Sequence, residues 1–402
     1  MPYSIVQLKF ENGIRRSILL ENEFPSYYPT LYVSRKMKNL SVNRQRNFLN
    51  SIRVLFDWLN YEKINIEKRF QENKPLTEIE IFRLLDFLAW DSKTRYKIMK
   101  NVKMLSTAYK QIKKETYYNR TIDVKNYIGF LYIELARNKN KLLIESGMIN
   151  TIDSYKPKIK KYTKNTIRSI TDEQLGIIFE NLMPDAIENP WTDPALRLRN
   201  LIIINLLYET GIRKGELAAL YIADINISEN TVGIYRRQNN PLEKRMDAPS
   251  VKTGERTIPI PDGLVSIINH YILMHRSVIK QAKKHPYLLI SHKRNKGSPM
   301  TLRAISEVFV KLHTKFPELK GLSSHDFRHH MNYRISKMIS ENFADKTPED
   351  KAIMDEQVRP HIMGHSPNSN MQEIYNKRYY VEEANRMLIE RSKYLGKDNE
   401  SE

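Results

Sequence analysis

Four short segments between residues 207 and 375 gather side chains able to handle an anion. In Leu207-Tyr-Glu-Thr-Gly-Ile-Arg-Lys-Gly-Glu-Leu217, Gly211 breaks one helical stretch and Arg213 opens the next, with Glu216 and Leu217 anchoring it. A guanidinium held beside the free N–H groups of a helix start suits a phosphate oxygen. Val251-Lys-Thr-Gly-Glu-Arg-Thr-Ile-Pro-Ile260 reads as a tight hairpin with Lys252 at its tip, where an ammonium can reach into a groove and protonate a leaving oxygen. In Ser323-Ser-His-Asp-Phe-Arg-His-His330, an N-cap at Ser324 would set His325 and Arg328 one turn apart on one face, with Phe327 turned inward. The fourth segment, Ile362-Met-Gly-His-Ser-Pro367, supplies His365, and Tyr375 follows in Gln372-Glu-Ile-Tyr-Asn-Lys. Singly, an arginine after a glycine turn or a lysine on a hairpin is ordinary surface, and one tyrosine among 23 carries no information. The ordered set Arg, Lys, His-x-x-Arg, Gly-His, Tyr is specific.

Helices must carry most of these residues. Thr171-Asp-Glu-Gln174 is a capping box for a helix through Leu182, and apolar spacing predicts helices over 195–208, 214–221, 264–280, 301–316, 325–340 and 382–395. Strand-like segments at 231–236 and 256–260 flank a long polar stretch. Upstream, residues 5–10 and 14–20 alternate around Asn12-Gly13, which predicts a β-hairpin serving either as an accessory contact module or as a plain edge ribbon. Phe48, Ile52, Leu55 and Leu59 form a helical stripe, and Thr77 with Glu80 caps a helix containing Ile81, Leu84, Leu85 and Leu88. A third helix is expected over 94–113, with Ile98, Val102, Leu105 and Tyr109 inward, and a fourth over 127–137. The outer face of the third carries Lys93, Arg95, Lys97, Lys100, Lys103, Lys110, Lys113 and Lys114, either a solvated surface or one turned toward phosphates. Glu341 to Ala352 looks like an inserted piece.

The boundaries that follow are an N-terminal β-hairpin extension at 1–34, a helical unit at 35–150, a basic linker at 151–168 and a second unit at 169–402. The linker has no apolar period, contains Pro157 and is rich in lysine. The fold class expected is mainly α with a small antiparallel β-sheet, in two domains. Lys and Arg outnumber Asp and Glu by 66 to 46 in 402 residues, a net charge of +20, which favours a polyanionic partner. The absence of cysteine excludes disulfide frameworks, Cys-based zinc sites and thiol nucleophiles. Neither a membrane span nor a secretory signal stands out, so a soluble, intracellular protein is expected.

The motif set resembles the tyrosine site-specific recombinase (phage integrase) family. Thr210-Gly-Ile-Arg-Lys-Gly-Glu-Leu217 is close to the family's first motif, Lys252 to its hairpin lysine, and His325-x-x-Arg328 and Gly364-His365 to the third and fourth. Three departures stand beside the match: a longer stretch at 238–250, an extended interval from Arg328 to His365, and a His365-to-tyrosine spacing one residue longer than the common form. The resemblance implies a C-shaped two-domain clamp on double-stranded DNA, its N-terminal helical unit being a core-binding domain. It implies Arg213, Arg328 and His365 on the scissile phosphate, His325 assisting deprotonation, Lys252 protonating the 5′ oxygen, and Tyr375 as nucleophile, with Tyr379 and Tyr380 in reserve. The chemistry would be metal-independent phosphoryl transfer with no cofactor, performed by a homotetramer in the synaptic complex. The setting would be cytoplasmic, prokaryotic-type and nucleoid-associated, and the enzyme would serve a mobile element. The alternatives are a chromosome or plasmid dimer resolvase, a non-catalytic DNA-binding protein on this scaffold, and an RNA-binding helical protein. A C-terminal helix over 381–395 would dock on a neighbouring subunit or pack on its own core.

Overall fold

Alternating residues at the N-terminus form an antiparallel hairpin, β1 (Tyr3–Lys9) and β2 (Arg15–Glu21), turning through Gly13 at φ 78° and joined by a short β3 (Phe24–Pro25). The computed structural model describes residues 3–100, 109–158, 169–237, 240–246, 248, 249, 251, 254–343 and 345–364. The chain divides into two compact units, Met1–Tyr162 and Thr163–Glu402.

In the first unit the hairpin does not stand off as an extension. Leu19 and Tyr3 enter the helical core, and the Ser17 N–H donates to Gln45 Oε1 at 3.1 Å inside the protein. The hairpin therefore packs on α2 (Val42–Tyr61), whose stripe of Phe48, Ile52, Leu55 and Leu59 is buried as its spacing requires. Around them run α1 (Tyr27–Lys36), α3 (Ile66–Gln71), α4 (Glu78–Ala89), α5 (Ser92–Met99), α6 (Lys114–Leu135) and α7 (Lys141–Tyr155). Thr77 and Glu80 close the capping box of α4: the Glu80 N–H donates to Thr77 Oγ1 and the Thr77 N–H to Glu80 Oε2.

Three expectations need correction here. Of the helix expected over 94–113, α5 ends at Met99 and residues 109–112 run extended beside Ala89–Asp91, while 101–108, with Val102, Lys103 and Leu105, lie outside the described residues. The Asp91 N–H donates to the Lys110 carbonyl and the Ile112 N–H to that of Ala89, both at 2.9 Å, around a Trp90–Gln111 bridge. Arg95, expected on the outer basic face, is buried, while Lys93, Lys97, Lys100, Lys110, Lys113 and Lys114 are exposed. Finally, residues 151–155 of the expected linker belong to α7, pinned by buried Ile152.

The second unit is built around α9 (Pro194–Thr210), capped by Asp193 and apolar around most of its girth. Such a helix must be enclosed, and α8 (Asp172–Leu182), α10 (Lys214–Ala219), α11 (Asp262–Tyr271) and α13 (Ser324–Asn342) all pack on it. A small antiparallel sheet runs β4 (Ile225–Asn226), β5 (Thr231–Ile234), β6 (Arg256–Pro259) in that order. The helix expected over 264–280 ends earlier, at Tyr271, and passes into a π-turn over Ile272–Arg276. Completing the described unit are α12 (Leu302–Lys315) and α14 (Pro348–Met363). The presumed insert, Glu341 to Ala352, takes in the last two residues of α13 and the first five of α14. The helix expected over 382–395 lies outside the described residues.

Candidate active site

Helix α9 stops because Gly211 adopts a left-handed conformation, φ 59° and ψ 20°, and its N–H donates to the Leu207 carbonyl. The reversal leaves Arg213 as the N-cap residue of α10. With no hydroxyl or carboxylate of its own to cap the helix, Arg213 relies on Glu216. The Glu216 carboxylate accepts the Arg213 N–H at 2.9 Å and its Nη1 at 3.5 Å. Arg213 keeps about a third of its side chain exposed (34%), whereas Glu216 is buried.

Glu216 also receives Arg256 Nη2 at 2.8 Å, from the first residue of β6. Arg256 Nε donates to the Ile362 carbonyl at 2.8 Å, and the Gly254 N–H donates to the Gly364 carbonyl at 3.3 Å. Two bonds therefore tie the hairpin segment that bears Lys252 to the end of α14, immediately before His365. Val251, on the other side of Lys252, packs against the hydrophobic core.

Arg328 closes the circuit. One turn into α13, its side chain is fully buried; Nη1 donates to the Gly211 carbonyl at 3.0 Å and Nη2 to the Met363 carbonyl at 2.7 Å. Helix C-termini present unsatisfied carbonyls, and here one guanidinium serves the ends of α9 and α14 together. A closed path results: Arg213, Glu216, Arg256, Ile362 and Met363, Arg328, Gly211, and back to Arg213. The first motif, the flank of the second, the third and the residue before the fourth all lie on that path.

His325 sits at the exposed N-terminal end of α13, its ring 4.6 Å from that of His329 in an edge-to-face arrangement. The cap of this helix is Ser323, not Ser324. The His325 N–H donates to Ser323 Oγ at 3.3 Å, while the Ser323 N–H and Oγ donate to Asp326 Oδ2 at 2.8 and 2.7 Å. The His325–Arg328 relation is unchanged by the shift. Behind Arg328, Asn332 Nδ2 donates to the Arg328 carbonyl, and Arg359 of α14 donates through Nη1 to both oxygens of Asn332 at 2.9 Å. Arg359 is fully buried and ion-paired to Asp355. Sequence reasoning passed over Arg256, Asn332 and Arg359. Arg256 could have been noticed in Lys-Thr-Gly-Glu-Arg; nothing in the sequence marks the other two.

Lys252, His365, Tyr375, Tyr379 and Tyr380 lie outside the described residues. Of the six residues expected to act, the structure therefore positions Arg213, His325 and Arg328, and it connects Arg213 and Arg328 through Gly211.

The comparisons agree with these motifs. Residues 179–344 match the family model "Phage integrase family". Tyrosine recombinase XerD of Halalkalibacterium halodurans is 21% identical over 244 residues, spanning 60% of this chain and 72% of the relative. Tyrosine recombinase XerC of Listeria welshimeri is 22% identical over 311 residues, 77% of this chain and 81% of the relative. Transposase A from transposon Tn554 of Staphylococcus aureus is 23% identical over 302 residues, 73% and 76% respectively. Among solved structures, the Tn1549 transposon integrase in complex with circular intermediate DNA aligns over 87% of this chain and 93% of its own, with a TM-score of 0.48 and 16% identity. The matched domain spans α9 to α13, where Arg213, His325 and Arg328 stand.

Proposed function

We propose that this chain is a site-specific DNA recombinase that cuts and rejoins strands through a covalent 3′-phosphotyrosyl intermediate. The observation that carries the reading is the closed hydrogen-bonded path, which draws four separate stretches of chain toward one cationic point. A pure DNA binder has no physical need for that convergence. Phosphoryl transfer has one, because negative charge spreads over the nonbridging oxygens as the nucleophile arrives, and prearranged guanidinium groups offset it without reorganising.

In this reading Arg213 supplies the exposed fork to the phosphate. Arg328 braces the site from beneath, its orientation held by the Gly211 and Met363 carbonyls, and presents its charge to the same phosphate. Tyr375 Oη attacks phosphorus, forming a P–O bond as the bond to the 5′ oxygen breaks. His325 accepts the phenolic proton and Lys252 gives one to the departing 5′ oxygen, while His365 donates a further hydrogen bond to the phosphate. A phenol titrates near pH 10 in water, so the cationic surroundings and a base must together generate the nucleophile. The second half runs in reverse: a 5′ hydroxyl attacks phosphorus and Tyr375 leaves. Because the phosphotyrosyl bond keeps the energy of the phosphodiester, rejoining needs no nucleotide. Duplex DNA is the partner, engaged by a tetramer in which four such sites act on two paired duplexes. The relatives include tyrosine recombinases XerC and XerD and a transposase, and the mobile-element reading is the one proposed.

The test uses a nicked suicide duplex, which loses the attacking strand after cleavage and traps the adduct. The wild-type chain should give a protease-sensitive protein–DNA band. Tyr375→Phe should abolish that band while binding the same duplex undiminished. A band that persists moves the nucleophile to Tyr379 or Tyr380; no band with the wild type on any cognate duplex removes the enzymatic reading.

A further inference from the structure

Between β5 and β6 lies the stretch 238–250, one of the three departures from the recombinase family's form. A connection that merely adds length runs over the surface with its polar groups in water. The described part, 240–246, does otherwise at two positions: Glu243 and Arg245 are 5% and 8% exposed, while the flanking Leu242 and Met246 are open to solvent. Glu243 Oε1 accepts the Arg245 N–H at 2.8 Å and its Nε at 2.9 Å. Glu243 Oε2 accepts Arg245 Nη2 at 2.6 Å and the Tyr287 hydroxyl at 2.8 Å. This paired fork fixes the direction of Nη1, which donates to the carbonyls of Ala218 at 3.0 Å and Met300 at 2.6 Å. The Tyr287 ring lies against the guanidinium, its centre 4.4 Å from Cζ.

Ala218 belongs to the last turn of α10, where carbonyls have no partner within the helix. A buried guanidinium there satisfies one of them and complements the negative end of the helix. Other attachments of the same stretch also fall on the exit of α10. Asn240 Nδ2 donates to Tyr221 Oη, and Arg237 is ion-paired to Asp224 with its Cζ 3.9 Å from the centre of the Tyr221 ring. Arg213 is the N-cap of this helix, which is only six residues long. At 1.5 Å per residue that is about 9 Å, so a shift at the far end is passed on to Arg213. The helix is thus held from both ends, by Glu216 and Arg256 at its start and by Arg245 at its finish.

We propose that Glu243 and Arg245 are positioning residues that aim Arg213 at the scissile phosphate by tethering the far end of α10. This role rests on the recombinase reading above and gives the longer stretch a task in that reaction. A buried ion pair is a poor source of stability, since apolar replacements of similar volume are often neutral or better. What the pair supplies is a directed bond to Ala218, which no apolar pair reproduces.

The experiment follows adduct formation on the suicide duplex, affinity for an intact duplex of the same sequence, and the thermal midpoint of the full chain. Glu243→Leu combined with Arg245→Met removes both charges at once, so the midpoint should be unchanged or higher. Adduct formation should slow about 10- to 100-fold, the scale of an ~1 Å misplacement, while affinity stays within about twofold of wild type. Arg245→Lys, which keeps a charge beside Glu243 and can reach one carbonyl, should recover most of the rate. Arg213→Gln tests the route: in that background the double substitution should cost less than about twofold more, because the group it aims is gone. Trapped adduct accumulates, so slow chains are read over long incubations. A wild-type rate in the Glu243→Leu/Arg245→Met chain overturns the tether. So does a loss of equal size in the Arg213→Gln background, or a rate that falls only together with the midpoint. A wild type that forms no adduct on any cognate duplex overturns the recombinase reading and the tether with it.

Discussion

Glu216 is where the closed path is most exposed to attack by mutation. Its carboxylate is buried, accepts from the Arg213 backbone and side chain, and balances Arg256, whose side chain is 5% exposed. Glu216→Ala leaves Arg256 with the Ile362 and Gly254 carbonyls but without its carboxylate. Stranding one member of a buried ion pair costs about 3–5 kcal/mol, and the retained carbonyl bonds place this case near ~3 kcal/mol. The second unit spans residues 163–402. For domains of that size each kcal/mol moves the midpoint by about 2–4 °C, so its transition should fall by about 6–12 °C. Differential scanning calorimetry of the full chain separates this transition from that of the N-terminal unit. The cycle completed by Arg256→Met and the double variant should show coupling of at least ~2 kcal/mol, because removing both charges spares the stranded one. A single variant within about 0.5 kcal/mol of wild type, or strictly additive effects, would refute the proposed linkage.

Two further outcomes follow from the same unit. At Gly211 an added Cβ would sit 2.7 Å from Met331 Cβ on a left-handed backbone, so Gly211→Ala should cost about 2 kcal/mol or more in chemical denaturation; an unchanged midpoint would contradict the geometry. Burial, helped by the charge of Arg199, pushes His292 down from 6.5 to about 4, with the Tyr271 hydroxyl 3.0 Å from its Nε2. Between those values the unfolded chain takes up a proton that the folded one refuses. The stabilisation is complete above pH 6.5 and is lost toward pH 4, by about 3 kcal/mol. Urea midpoints across that range should flatten in His292→Gln, and an unaltered slope in the variant would reject the assignment.

Much of the second unit could be read from local signals. Thr171 and Gln174, Asp193, Gly211 and the apolar run of α9 each carry a start, a stop or a burial message within a few residues. The spacing rule even identifies the right serine before α13. A capping box pairs the N-cap with the third residue on, so Asp326 selects Ser323 over Ser324. What sequence periodicity could not carry is long-range pairing. The end of the expected helix depends on the 109–112 segment bonding back to 89–91, which no local period announces. Arg95 looked like one basic residue among many, yet it is buried with its guanidinium on the Trp90 carbonyl. The same holds for the site. Arg213, His325 and Arg328 were recognisable by type and order, whereas the buried bonds that hold them (Glu216 to Arg256, Arg328 to Met363, Arg359 to Asn332) cross between distant segments. The piece that looked inserted, Glu341 to Ala352, leads into α14, whose Arg359 locks onto α13.

The central claim, strand cleavage by a tyrosine of this chain, is tested most directly by identifying the bond itself. Covalent complex formed on a suicide duplex in the presence of a chelator should be digested and sequenced by mass spectrometry. A single modified peptide carrying a nucleotide through its 3′ phosphate on Tyr375 is the expected product. Free 3′-hydroxyl ends with no modified peptide, or cleavage that appears only when a divalent metal is restored, would contradict it.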